Sequence, residues 1–113
     1  MRKLNLENYT AHNKVLDPAM PGKFIPIEFP YPVKDSILQI LLAPELRLTA
    51  PEALKANMVA MKIESCMEST ILLEEEEWNR LSQAVNKLTG FGRADVELIE
   101  RITNAEVVEV KAK

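Results

Sequence analysis

The strongest helical pattern in the chain lies between residues 71 and 88. Trp78, Leu81, Val85 and Leu88 follow one another at steps of three, four and three residues. This spacing places the four side chains on one stripe of a helix with 3.6 residues per turn. The pattern therefore predicts an amphipathic helix over about 71–88 that buries this stripe.

Two glycines mark the end of this helix and the start of another. Gly90 can adopt the left-handed backbone conformation that closes a helix, and Phe91 can fold back onto the last turn. Gly92 can act as an N-cap, with Asp95 near the positive end of the next helix. The apolar residues of that helix are Val96, Leu98, Ile99 and Ile102. We expect the two helices to pack along a shared apolar seam.

A helix over about residues 33–43 is predicted next, because Pro32 precedes it and Pro44 follows it. It has almost no polar face, since its apolar residues are Ile37, Leu38, Ile40, Leu41 and Leu42. Such a helix is either buried centrally or covers a partner.

A further helix is predicted to start at Thr49 and to extend to about Cys66. The sequence Thr49-Ala-Pro-Glu52 matches a capping box, in which Thr49 accepts from the third helical amide and Glu52 accepts from the cap. The apolar positions of this helix are Leu54, Met58 and Met61, with Val59 and Ile63 one step round.

The N-terminal third has a period closer to two. Five of the seven prolines fall between Pro18 and Pro32, and the stretch 13–29 predicts a β-hairpin or two short strands. Residues 1–12 and 111–113 are predicted to be flexible. The β-branched stretch from Glu106 predicts either a strand beside the hairpin or a frayed tail.

Together these patterns predict an α+β fold that is mainly helical, with about four helices, a short N-terminal β-hairpin and a C-terminal strand as an alternative to a tail. Hydrophobic residues at 47% and charged residues at 27% are ordinary for a globular protein, so we expect one domain over residues 1–113. The predicted core comprises Ile37, Leu41, Leu54, Met58, Met61, Leu73, Trp78, Leu81, Val85, Leu88, Val96 and Ile99.

Charge and cysteine content restrict the partners and the compartment. A net charge of −3 disfavours strong attraction to phosphate backbones or anionic lipid. The single Cys66 excludes an intramolecular disulfide, and no run approaches the ~20 apolar residues that cross a bilayer. We expect a cytoplasmic protein that does not bind membranes.

Candidate catalytic chemistry is sparse. His12 and Cys66 could meet in space as a base and nucleophile, but an inert buried thiol and an exposed loop histidine are the favoured interpretation. These two residues cannot supply the four ligands of a zinc site, and Gly90-Phe-Gly92 lacks the lysine of a phosphate loop. Carboxylates are plentiful, and a solvated acidic face is favoured over a catalytic pair. We therefore predict no catalytic, cofactor-binding or metal-binding residues and a protein that is not an enzyme.

Two kinds of partner remain open. The helix, glycine-containing turn and helix around residue 90 would suit a nucleic-acid-binding regulator of the helix-turn-helix kind. Eight acidic and four basic residues between Glu74 and Glu106 disfavour this alternative. The favoured function is a protein–protein interaction module that binds another protein or a second copy of itself, with no small-molecule substrate.

We predict that the partner docks on Tyr31, Ile37, Leu38 and Leu42, because one face of the apolar helix would otherwise remain in water. The alternative is that the proline-rich segment Phe24 to Phe29 covers this helix within the same chain. Met58, Met61 and Met67 are a further cluster that fills a core or forms an adaptable binding surface.

The order of elements resembles a family of small proteins encoded by tailed bacteriophages and prophages, most of them without an assigned role. The resemblance covers about residues 13–104. The stretches that carry it are Val15-Leu16-Asp17-Pro18 with Gly22, Ile25-Pro26-Ile27, Val33-Lys34-Asp35-Ser36-Ile37-Leu38, Leu41-Leu42-Ala43, Met61-Lys62-Ile63-Glu64 and Ile71-Leu-Leu-Glu74-Glu-Glu-Glu-Trp78 with the helix that ends at Leu88. It implies an accessory protein of phage particle assembly or phage–host control that acts through protein contacts.

Overall fold

The structure, a computed structural model, describes residues 1–108 apart from the side chain of Asn13. Its elements are β1 (Arg2–Asn5), β2 (Tyr9–Leu16), β3 (Phe24–Tyr31), α1 (Val33–Leu41), α2 (Ala50–Glu64), β4 (Thr70–Leu73), α3 (Glu75–Lys87), α4 (Val96–Thr103) and β5 (Glu106–Val107). Short 3-10 helices lie at Pro44–Leu46 and Arg93–Asp95. The α+β class is confirmed, but the N-terminal part holds three strands rather than a simple hairpin.

The first sheet is antiparallel, with strand order β4-β1-β5, and β1 is its central strand. Residues 1–12, for which flexibility was predicted, thus include β1 (Arg2–Asn5) and the start of β2 at Tyr9. Leu4 and Leu6 alternate into the core, and pairing on both edges holds β1 in place. The C-terminal strand exists, but it pairs with β1 rather than with the hairpin. The predicted flexible tail, residues 111–113, lies outside the described residues.

The second sheet is the hairpin β2-β3, which is longer than the predicted 13–29. Its register pairs Tyr9 with Tyr31 at one end and Leu16 with Phe24 at the other. At the turn, the Asp17 amide donates to the Lys23 carbonyl at 2.8 Å, and the Asp17 side chain accepts from the Ala19 amide at 2.8 Å. Gly22 has a positive φ of 85°, a conformation that glycine tolerates without strain.

Helix α2 begins with the predicted capping box. The Glu52 amide donates to the Thr49 hydroxyl at 3.4 Å, and the Glu52 carboxylate accepts from the Thr49 hydroxyl at 2.9 Å. Gly90 has a φ of 87°, which confirms the left-handed residue after α3. The Gly92 amide donates to the Asp95 carboxylate at 2.8 Å and starts the segment that leads into α4.

The start of the central helix was predicted four residues too early. Residues 70–73 form β4, in which Ile71 and Leu73 are buried and Leu72 faces outward. This alternation is the period of a strand. Helix α3 begins only at Glu75, after the Glu74 amide donates to the Glu77 carboxylate at 2.9 Å.

Most of the predicted core is confirmed as buried or packed against the buried cluster: Ile37, Leu41, Leu73, Trp78, Leu81, Val85, Leu88 and Ile99. The prediction is wrong for four residues that are exposed: Leu54, Met58, Met61 and Val96. Helix α2 instead turns Ala56, Val59, Ala60 and Ile63 inward. The larger side chains Leu54, Met58 and Met61 lie on the opposite face of the helix.

Candidate interaction surfaces

The hairpin β2-β3, residues 9–31, is named the arm, because its far end extends beyond the helical body. Paired residues of an antiparallel hairpin share a face, so odd-numbered residues lie on one face of the arm and even-numbered residues on the other. At the base, Ala11 and Tyr31 are buried in the core. Further along the same face, Val15 and Ile25 are exposed. The apolar face therefore continues past the body that covers its base.

The tip of the arm is apolar on its other face as well. Leu16, Phe24 and Met20 are 62%, 61% and 49% exposed. Single exposed apolar residues are ordinary, but a cluster at the end of a projection is typical of a contact surface. A two-stranded hairpin is only marginally stable by itself in water. The tip therefore gains stability from any partner that covers it.

The overall dimensions agree with a projecting arm. The radius of gyration is 16.5 Å and the extents are 62 × 33 × 22 Å. A compact domain of this length has a radius of gyration of about 13 Å. The excess follows from an elongated molecule.

Two stacked tyrosines attach the base of the arm to the helical body. The rings of Tyr9 and Tyr31 lie 4.7 Å apart and within 13° of parallel. The Tyr9 hydroxyl donates to the Ala94 carbonyl at 2.6 Å and accepts from the Leu98 amide at 3.3 Å. The Tyr31 hydroxyl donates to the Asp95 carboxylate. The start of α4 and the base of the arm are thus joined by three hydrogen bonds.

This attachment changes the acidity of both phenols. Burial, followed by the hydrogen bond to Asp95, raises the pKa of Tyr31 well above its ordinary value. Burial also raises the pKa of Tyr9, against the opposing effect of the hydrogen bond from the Leu98 amide. Both side chains are therefore neutral near pH 7, and their hydroxyls donate the hydrogen bonds that hold the arm to the body.

The four residues of the predicted docking surface do not form one exposed patch. Ile37 and Tyr31 are buried in the chain's own core, Leu38 is half-buried and Leu42 is 41% exposed. Helix α1 is covered mainly by α2 and α3 rather than by the segment Phe24 to Phe29. A buried side chain gives a partner no accessible area, so Tyr31 and Ile37 are corrected to core residues. Docking near Leu38 and Leu42 stays a prediction.

Leu42 does line a cleft, a space of about 670 Å³ between the end of α1 and the connection that follows α3. Its other lining residues include Ile40, Leu88 and Phe91, together with the polar Gln39. The cleft is wide and partly polar, and it adjoins the attachment of the arm through Tyr31 and Asp95.

The outward face of α2 is a second apolar surface. Leu54, Met58 and Met61 are spaced by four and three residues and are 69%, 70% and 60% exposed. They form one stripe that lies opposite the buried face of the same helix. The cluster of methionines thus faces solvent rather than filling the core, as does Met67 in the loop after α2.

In the nucleic-acid alternative, α4 is the candidate recognition helix, but the arginine in its last turn contacts other residues of the same chain. Arg101 donates to the Glu7 carbonyl at 2.6 Å, pairs with Glu97 at 2.7 Å and lies 4.9 Å from the centre of the Tyr9 ring. A guanidinium with these partners is poorly placed to contact phosphate. Glu97 and Glu100 are exposed on the same helix, while Arg93 lies before it.

The structure does not bring the candidate nucleophile and base together as a pair. The Cys66 thiol contacts the carbonyls of Glu68 and Thr70, whereas the His12 ring lies 3.5 Å from the Glu28 carboxylate on the arm. Among residues 1–108, no three His, Cys, Asp or Glu side chains gather as a group that could hold a metal ion. No helix in the same range is long and apolar enough to span a membrane.

Comparisons of this chain with protein-family models, with curated proteins and with solved structures found no match. The function is therefore argued from the surfaces described above.

Proposed function

We propose that this protein is a non-enzymatic protein–protein interaction module whose principal docking element is the arm. The observation that carries the proposal is the apolar face of the arm, which continues from the buried Ala11 to the exposed Val15 and Ile25. Aqueous solvent penalises such a surface by about 25 cal/mol per Å² of apolar area. Contact with a partner removes this penalty, and the attachment of Tyr31 to Asp95 holds the arm in position for it.

The biological setting is a proposal that rests on the resemblance of the element order to small phage and prophage proteins. In that setting the protein is an accessory factor of particle assembly or phage–host control in the bacterial cytoplasm. An accessory factor of this kind acts by holding other proteins together, which requires contact surfaces and no active site. The exposed stripe of α2 (Leu54, Met58 and Met61) supplies a second surface on the same chain.

Site-specific crosslinking in the native cells tests the proposal. A photo-reactive benzoylphenylalanine takes the place of Phe24 at the tip of the arm, or of Met67 in the loop after α2 as the matched control. Met67 is 94% exposed, so solvent access alone would favour crosslinking at the control position. We expect a discrete protein adduct from position 24 and none of the same mass from position 67. No adduct from position 24 would contradict the proposal.

A nucleic-acid-binding regulator is the second candidate, because α3 and α4 are two helices joined by a turn that contains glycine. Titration of labelled duplex DNA at low salt separates the candidates, since phosphate contacts give affinity that falls steeply with salt. We expect no binding. Salt-dependent binding that is lost in Arg93→Ala would favour the regulator instead.

A further inference from the structure

The two outer edges of the arm are not equivalent. The hydrogen bond from the Asp17 amide to the Lys23 carbonyl fixes which residues of the hairpin bond across the ladder. Antiparallel ladders alternate hydrogen-bonded and non-hydrogen-bonded residue pairs. The odd-numbered residues therefore exchange backbone hydrogen bonds between β2 and β3. The even-numbered residues therefore direct their backbone groups away from the partner strand. On β2 these outward positions include Thr10, His12 and Leu16.

On β3 the outward positions are Phe24, Pro26, Glu28 and Pro30. Proline has no amide hydrogen, so two of these four positions offer no donor to an added strand. Strand β2 contains no proline between Tyr9 and Leu16. The arm thus has one edge that another strand can pair with and one edge that resists pairing.

A groove lies beside the open edge where β2 meets the body. It has a volume of about 370 Å³, and its walls include Thr10 and His12 from β2 and Val96 and Glu100 from α4. Val96, which the sequence places in the core, is 47% exposed in this groove. The base of the arm therefore presents an open edge next to an uncovered apolar side chain.

We propose that the occupant of this edge is a second copy of the same chain, bound β2 to β2 in an antiparallel pair. The inference rests on the proposed function, because it takes the arm as the docking element and names its partner. Antiparallel pairing about a twofold axis near the middle of β2 brings the tip of each arm to the base of the other. The exposed Leu16 of one copy then reaches the groove that holds Val96 of the other copy.

Complementarity within one chain favours a second copy over a foreign strand. An isologous dimer uses the same patch twice, so the patch must complement itself. Here Leu16 at the apolar tip matches the exposed Val96 of the groove. The groove holds two acidic residues, Glu97 and Glu100, against one basic residue, Arg93, so its charge is opposite to that of Lys23 at the tip.

The test compares two proline substitutions at one cross-strand pair. His12 and Glu28 face each other in the register, and each directs its amide outward, His12 from the open edge and Glu28 from the other. His12→Pro and Glu28→Pro both remove one outward amide and both end the contact between these side chains. Only the first substitution removes a donor from the proposed interface. The mass in solution is measured by sedimentation over a concentration series, with Trp78 fluorescence as the check on folding.

We expect the unsubstituted protein and Glu28→Pro to reach twice the mass of one chain. In His12→Pro we expect the dimer dissociation constant to rise about tenfold or more. Each of the two copies loses one backbone amide donor, so the interface loses two hydrogen bonds. A monomer at every concentration, or equal effects of the two variants, would overturn the proposal. The crosslinking at position 24 separates this outcome from failure of the proposed function, since an adduct with a different protein would preserve the module and exclude the homodimer.

Discussion

The Tyr31 hydroxyl donates a hydrogen bond to the carboxylate of Asp95, which lies 64 residues later in the chain. Tyr31 is the last residue of β3, and Asp95 is the last residue of the 3-10 helix before α4. The same carboxylate accepts from the Gly92 amide at 2.8 Å. One acidic side chain therefore closes the turn before α4 and fixes the base of the arm.

The first prediction concerns the strength of this attachment. Tyr31→Phe removes the hydroxyl and leaves the ring that stacks on Tyr9. Because hydrogen bonds to charged groups contribute about 1.5–3 kcal/mol, we expect the free energy of unfolding to fall by that amount in urea titrations. Asp95→Asn is the control that keeps an acceptor near Tyr31, and we expect a smaller loss from it. A Tyr31→Phe variant as stable as the parent would show that the hydroxyl does not anchor the arm.

The second prediction concerns alkaline pH. The pKa of Tyr31 is raised in the folded state, so the folded protein holds its proton more tightly than the unfolded chain does. The stabilisation is complete below the ordinary tyrosine pKa of about 10 and is lost as the pH rises above it. We expect the free energy of unfolding to fall as the pH rises above about 10, and Tyr31→Phe to show a shallower decline. Tyr9 retains part of the dependence, because its pKa is raised too. Parallel pH profiles for the two proteins would contradict this assignment.

The third prediction separates the true core from the expected one. Leu81 on α3 is fully buried, whereas Leu54 on α2 is 69% exposed although the sequence pattern placed both in the core. Leu81→Ala leaves a cavity, and we expect it to lower the free energy of unfolding by about 2–5 kcal/mol. Leu54→Ala makes the same chemical change on a solvated face, and we expect an effect within about 0.5 kcal/mol. Equal losses from the two variants, measured by thermal or urea unfolding, would mean that Leu54 is buried like Leu81.

Local signals in the sequence predicted the helices well. The Thr49 capping box and the left-handed Gly90 depend on neighbouring residues only, and both were found where the sequence placed them. The orientation of α2 could not be found in this way. Helix α2 has two apolar faces with the same spacing, one with alanines and one with larger side chains. The sequence pattern alone favours burial of the face with the larger side chains. The structure instead buries the face with Ala56, Val59, Ala60 and Ile63, and this choice depends on packing against residues distant in the sequence.

The three-stranded sheet was missed for a different reason. Residues 71–73 are apolar in succession, which fits the first turn of a buried helix as well as a strand. Only pairing with β1, about 70 residues earlier in the chain, selects the strand. The apolar tip of the arm was not predicted, because the segment Phe24 to Phe29 was considered only as an alternative cover for α1. The available signal was the apolar pairs Val15-Leu16 and Phe24-Ile25 on either side of one turn, which place apolar groups on both faces of a hairpin.

The last prediction uses two arginines to decide what α4 does. Arg101 contacts the Glu7 carbonyl, the Glu97 carboxylate and the Tyr9 ring, so its side chain is only 18% exposed. Arg93 is exposed at the start of the 3-10 helix before α4. A recognition helix would use both arginines for phosphate and neither for folding. We expect Arg101→Ala to lower the free energy of unfolding by about 1–3 kcal/mol, because it removes the charged donor to the Glu7 carbonyl, the ion pair with Glu97 and the contact with the Tyr9 ring.

Arg93→Ala is the matched control, since it removes the same side chain from an exposed position. We expect its effect on the free energy of unfolding, measured in urea, to stay within about 0.5 kcal/mol. Arg101→Lys keeps the charge but loses the forked geometry that reaches two acceptors and covers the ring, so it should recover only part of the loss. Full recovery by lysine would mean that charge alone is needed at residue 101. That result would remove the structural reason for assigning Arg101 to the base of the arm rather than to a bound anion.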